Sequence, residues 1–145
     1  MSTRPMSTRW RRIGASLAAV GAGLLTAAPG VAAAAPVQPF QIQPAPFGNP
    51  NGSFDVPPIR CGFDTGGKTG QVTVTGSRRD RWGCPPFATV QWVNLQTGAT
   101  GAARLGPGLN GVPPAATLRT GRGQVALVLT TSGIVTPGFA TVVVR

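Results

Sequence analysis

Histidine, glutamate and tyrosine do not occur in this 145-residue chain, and lysine occurs once, at Lys68. The chain therefore lacks the commonest general base, the commonest metal-ligating side chain and half of the usual catalytic carboxylates. A Ser-His-Asp triad is excluded, and a zinc site has only Cys61, Cys84 and three aspartates to draw on. Of those acids, Asp55, Asp64 and Asp80, the last two fall on either side of an expected hairpin, where a pair of carboxylates can hydrolyse a glycosidic bond. Short acidic side chains in such places more commonly cap a turn or pair with an arginine. A Ser-Lys dyad on Lys68 needs a serine close in space, and Ser53, Ser77 and Ser132 carry no motif around them. The residue set points to a protein that is not an enzyme, with no catalytic residue, no metal and no cofactor.

Long apolar runs are also missing, except at the start. Arg9, Arg11 and Arg12 precede an Ala/Leu/Val/Gly stretch from Ile13 to Ala28, then Pro29 and Gly30, then small residues to Ala35. That order reads as an export signal over residues 1–34, cleaved after Ala34 with Ala32 and Ala34 at the recognition positions. An uncleaved membrane anchor is the alternative, but the run is mostly alanine and glycine and Pro29 interrupts it. General secretion fits better than the twin-arginine route, because Gly14 stands where that signal carries a bulky apolar residue. Met6 heads a second copy of the opening Met-Ser-Thr-Arg, so translation can start at either methionine. The expected location is secreted, extracellular or at the cell envelope.

Cleavage leaves about 111 residues, enough for one domain with a modest core. With the leader's four arginines removed, nine cations face three aspartates, so the mature chain is strongly basic. Such a field favours anionic partners: cell-envelope polymers, acidic headgroups or an acidic protein. The excess of arginine over lysine accompanies abundant Ala, Gly and Pro and reads as the composition of a GC-rich genome. Cys61 and Cys84 are the only cysteines, and in an exported chain an even count is read as a disulfide.

Residues 35–58 are rich in Pro, Gln, Asn and Gly with isolated Phe40, Phe47 and Phe54. This composition predicts an extended tail, either a spacer or a recognition strand anchored by its aromatics. From Ile59 to Arg145 short β-branched runs separated by Gly, Pro and Asn predict an all-β domain, a small antiparallel sandwich of about seven short strands. Gln71–Thr75 alternates. Ala88–Leu95 has Val90 and Trp92 on one face and Val93 and Leu95 on the other, which predicts a strand buried on both sides or bulged at Trp92 or Val93. Gln124–Thr130 and Phe139–Val144 are expected as central strands, with weaker strands at 59–63, 102–105 and 116–119 and a hairpin turn at Thr120–Gly123. Trp92 follows both cysteines, so the Cys-Trp-Cys order of an immunoglobulin domain is not met.

Cys61-Gly62-Phe63, Val93-Asn94-Leu95-Gln96-Thr97-Gly98 and Thr120-Gly121-Arg122-Gly123 together resemble a pattern found in small exported actinobacterial proteins. The resemblance spans residues 57–144 and carries no catalytic residue onto this chain. The segment from Arg78 to Cys84, with its arginines and second cysteine, departs from it.

That segment is the candidate binding element. Arg78, Arg79, Arg81 and Trp82 lie in one short connection, where guanidinium forks suit phosphate or carboxylate and an indole can stack on a sugar, base or guanidinium. The bland alternative is a solvated loop in which Asp80 pairs with an arginine and Trp82 covers the disulfide. Nucleic acid is a poor fit, since an exported protein seldom meets it and one short cluster makes a small footprint. The function expected is a non-enzymatic binding or structural module with a basic surface. The competing expectation is a carrier or inhibitor that holds a small apolar or acidic ligand in a cleft of the sandwich.

Overall fold

The computed structural model describes residues 36–46, 51–52, 57–133 and 135–145, all within one compact unit, Ala32–Arg145. The expected signal segment lies outside the described residues. Seven strands have four or more residues: β3 (Cys61–Asp64), β4 (Gln71–Gly76), β5 (Thr89–Asn94), β6 (Thr100–Arg104), β7 (Ala116–Arg119), β8 (Gly123–Thr130) and β10 (Gly138–Val144). Three two-residue strands join them: β1 (Gln38–Pro39), β2 (Ala45–Pro46) and β9 (Val135–Thr136). All pairings are antiparallel, giving one sheet in the order β1-β3-β4-β7, a second in the order β10-β8-β5-β6, and the small ladder β2-β9. No α-helix occurs among the described residues, and the chain is the small β-sandwich its sequence predicts.

Period-two alternation places the core. In β8, Val125, Leu127 and Leu129 are fully buried, and in β10 Ala140, Val142 and Val144 face the same way while Phe139 and Val143 point out. From the other sheet Phe63, Val72, Val74 and Leu118 meet them, with Leu105 and Val90 completing one cluster. Each such side chain removed from water contributes about 1.5–3 kcal/mol, so these rows supply most of the drive to fold. Cys61 and Cys84 are joined across 23 residues with their Cα atoms 4.5 Å apart, inside the same cluster.

Four sequence expectations are corrected. Thr120–Gly123 is not a hairpin: the chain bends at Arg122 and enters β8 at Gly123, and β7 and β8 belong to different sheets, so the segment carries the chain across the sandwich. Local turn chemistry fixes the bend and not the strand's partner. β10 is an edge strand rather than a central one. Its ladder with β8 occupies one side, and on the other no full strand pairs with it: Ile42 bridges to Phe139 there. β5 pairs one-to-one with both β6 and β8, without a bulge at Trp92 or Val93. Val93 is half-buried and Leu95, beyond the strand end, is exposed, so β5 is not buried on both faces.

The fourth concerns the tail. The folded unit reaches back past Ile59, because residues 36–46 close the open side of the sandwich between β3 and β10. β1 pairs with β3, Phe40 N–H donates to the Cys61 carbonyl, and Ile42 exchanges two backbone hydrogen bonds with Phe139. Two glutamine amides complete the clasp. Gln41 donates to the Thr141 carbonyl (3.1 Å) and accepts from its N–H (2.9 Å), and Gln43 does the same to Cys61 (2.9 and 2.7 Å). Each amide thus stands in for a strand residue on an edge that would otherwise be unpaired. Phe40 is only 4% exposed and packs on Phe63 at 6.1 Å between ring centroids. Pro39 and Pro46 are tolerated because they sit at edges where no N–H is needed. Phe47 and Phe54 lie outside the described residues.

Two of the sequence's turn segments meet at one end. Asn94, fully buried, accepts from the N–H groups of Gln96 and Thr97 and donates through Nδ2 to the carbonyls of Thr120 and Arg122, both at 2.9 Å. This buried amide makes four bonds, which ties the β5–β6 turn to the crossover.

Candidate functional site

The expected binding segment is a 3-10 turn, Arg79–Arg81, at the end of β4. The chain there is fastened on every side. Cys84 is bonded to Cys61, Arg60 N–H donates to Gly83, Ser77 N–H to Arg60, Arg78 N–H to Trp82, and Trp82 N–H to Arg79. Asp80 and Arg81 adopt left-handed φ values of 55° and 65°. Such backbone costs on the order of 1 kcal/mol per non-glycine residue and persists because the surroundings hold it.

The turn does not present its three arginines alike. Arg81 lies back on the first sheet, with Nη1 2.8 Å from Oδ2 of Asp64, whose side chain is 7% exposed. The pair is close, but the N–H direction misses hydrogen-bond alignment, so Oδ2 has a cation beside it and no aligned donor. Asp64 stands opposite Thr73, whose hydroxyl meets that of Thr117 at 3.3 Å, and the Arg81 carbonyl accepts from Thr75. Arg81 is therefore a structural residue, and Asp64 rather than Asp80 is the acid that pairs with an arginine. Arg78 reaches the Pro58 carbonyl at 3.4 Å and stays exposed. Arg79 is exposed with no side-chain partner among the described residues, and Trp82 is 38% exposed. The outward set is Arg78, Arg79 and Trp82.

Sequence reasoning missed a second feature. The outer face of the second sheet carries a shallow groove of about 520 Å³, lined chiefly by Gln91, Val93, Thr100, Ala102, Ala126 and Val128. Its lining holds no charge. Small side chains at Ala102 and Ala126 make the depression between taller neighbours, and outward alanines within two strands were the available signal. Beside it Gly101 is required: a Cβ there would sit 2.7 Å from the indole of Trp92.

Among the described residues no three His, Cys, Asp or Glu side chains gather to hold a metal ion, and both cysteines are spent on each other. No helix of the described residues is long and apolar enough to cross a membrane. The disulfide is consistent with an oxidising compartment. Comparison with protein-family models, curated proteins and solved structures finds no match to this chain.

Proposed function

We propose that the chain is an exported, non-enzymatic binding module whose basic surface engages an anionic component of the cell envelope, with the turn bearing Arg78, Arg79 and Trp82 as one contact element. The observation that supports this reading is the rigid turn itself. A disulfide, a backbone network and strained φ values hold Arg79 and Trp82 outward, while the buried carboxylate is reserved for Arg81. A side chain carried on a fixed backbone loses less entropy on binding phosphate or carboxylate than one on a mobile loop. Arg78→Ser/Arg79→Ser should weaken salt-sensitive retention on purified anionic envelope polymer while leaving the melting temperature within about 2 °C, as surface changes do. Retention equal to that of the parent protein refutes the assignment of the turn.

The groove on the second sheet favours a second reading, a carrier of a small apolar ligand. Its volume falls within the usual range for small-molecule sites, about 300–1,000 Å³, but it is open and shallow. Binding of an environment-sensitive apolar dye that is abolished by Ala126→Gln would support the carrier, and absence of dye binding would remove it.

A further inference from the structure

A second group of exposed cations lies at the opposite end of β4 from the Arg79 turn. There Gly70 acts as a backbone knot: its N–H donates to the Arg145 carbonyl at 2.9 Å, and its carbonyl accepts from the N–H groups of Thr120 and Gly121, both at 3.1 Å. Gly70 is left-handed, with φ +72°, and Gly121 presses close enough that a Cβ would lie 3.4 Å from its Cα. Gln71 N–H donates to Lys68, and Asn94 holds the carbonyls of Thr120 and Arg122. These bonds fasten the backbone that carries Lys68, Arg119, Arg122 and Arg145. All four side chains are exposed, and none has a hydrogen bond or ion pair among the described residues.

The aspartates do not offset them. Asp64 is taken by Arg81, and Asp80 sits on the far turn, roughly 20 Å away along a strand that rises about 3.3 Å per residue; the α-carboxyl of Arg145, held on Gly70 N–H, offsets one of the four cations. The excess of positive charge at one pole repels within a Debye length of about 8–10 Å, which works against the fold. The form of the pole also narrows the ligand. The N–H groups of Gly70, Thr120 and Gly121 are already used, and the cations come from three chain segments around a rim. A small anion would need convergent donors in a pocket. Point charges spread around a rim fit a flexible chain with repeating negative charge.

We propose that this rim is a second docking site, for a linear polyanion, independent of the Arg79 turn. It rests on the reading of the domain as a binder of anionic envelope material. Both poles of one small domain are then cationic, and the module can hold two polymer strands or one strand along its length.

The test uses fluorescein-labelled poly(glycerol phosphate) and polyglutamate, with binding followed by anisotropy at 50–200 mM salt. Lys68→Ser/Arg119→Ser/Arg122→Ser/Arg145→Ser should weaken binding at least about 10-fold and flatten its salt dependence, since each lost contact removes counterion release. A variant that exchanges Lys and Arg at the same positions should stay within about threefold, because point charge rather than fork geometry is required. Tight binding of poly(glycerol phosphate) alone assigns a phosphodiester polymer, and tight binding of polyglutamate alone assigns a polycarboxylate. Unchanged binding by the serine variant, with loss in Arg78→Ser/Arg79→Ser, overturns the rim and leaves the proposed function standing. Equal loss in the serine and charge-keeping variants also overturns it. Failure of the parent protein to bind either polymer at 50 mM salt overturns both.

Discussion

Replacing Phe40 by alanine tests whether residues 36–46 are part of the fold or a spacer in front of it. Phe40 is 4% exposed and packs against Phe63, and truncating a buried phenylalanine costs about 3–5 kcal/mol. Here the cost has a ceiling, because the segment can detach as a unit once the ring that anchors it is gone. Detachment gives up the Gln41 bonds to Thr141, the Gln43 bonds to Cys61 and the Ile42 bridge to Phe139, and water then satisfies the two edges. We expect a loss of about 2–4 kcal/mol, at the lower end of the core range. For a domain of this size that lowers the melting temperature by on the order of 10 °C or more. Urea denaturation followed by tryptophan fluorescence measures the loss, and amide exchange locates it: the Thr141, Phe139 and Cys61 N–H groups should lose protection before those of β8. A change below about 0.5 kcal/mol, the size of an ordinary surface substitution, with protection at Thr141 intact would refute the clasp.

Cys61→Ser/Cys84→Ser should cost on the order of 3 kcal/mol from the loop of 23 residues, and the parent protein should take up alkylating reagent only after reduction; uptake without reduction contradicts the bridge. Arg81→Ser leaves Asp64 buried beside no cation and should cost about 1–2 kcal/mol, discounted because the arginine is partly exposed, whereas Arg79→Ser should cost under about 0.5 kcal/mol. Equal effects in thermal melts would mean that the ion pair contributes nothing. Gly101→Ala should push the Trp92 indole and cost about 1–3 kcal/mol, with a red-shifted tryptophan emission; an unshifted spectrum at full stability contradicts the close approach.

The parts of the fold legible in the sequence are those set by nearby residues. Alternation divides Gln124–Thr130 and Phe139–Val144 into two faces, of which the structure buries one, and in β7 the predicted bounds match the strand. What was not legible depends on partners far along the chain. Phe40, Gln41 and Gln43 look like spacer residues because their partners lie in β3 and β10, up to 100 positions away. Thr120–Gly123 carries ordinary turn residues, and nothing local says that the next strand joins the other sheet. The same limit applies to the candidate site. The cluster Arg78–Trp82 was visible as a run, but only the fold shows Arg81 turned in to Asp64. The cations at Gly70 were invisible because they are scattered over residues 68–145 and meet only when the sheets close.

The property proposed for this basic sandwich is binding of anionic polymer through its exposed cations. The most direct test is the affinity of the purified protein for immobilised poly(glycerol phosphate) measured between 50 and 200 mM salt. With about four charge contacts the association constant should fall roughly 50-fold over that range, following the slope of about 0.7 per contact known for single-stranded polyanions. Affinity that does not change with salt, or no binding at 50 mM, would contradict it.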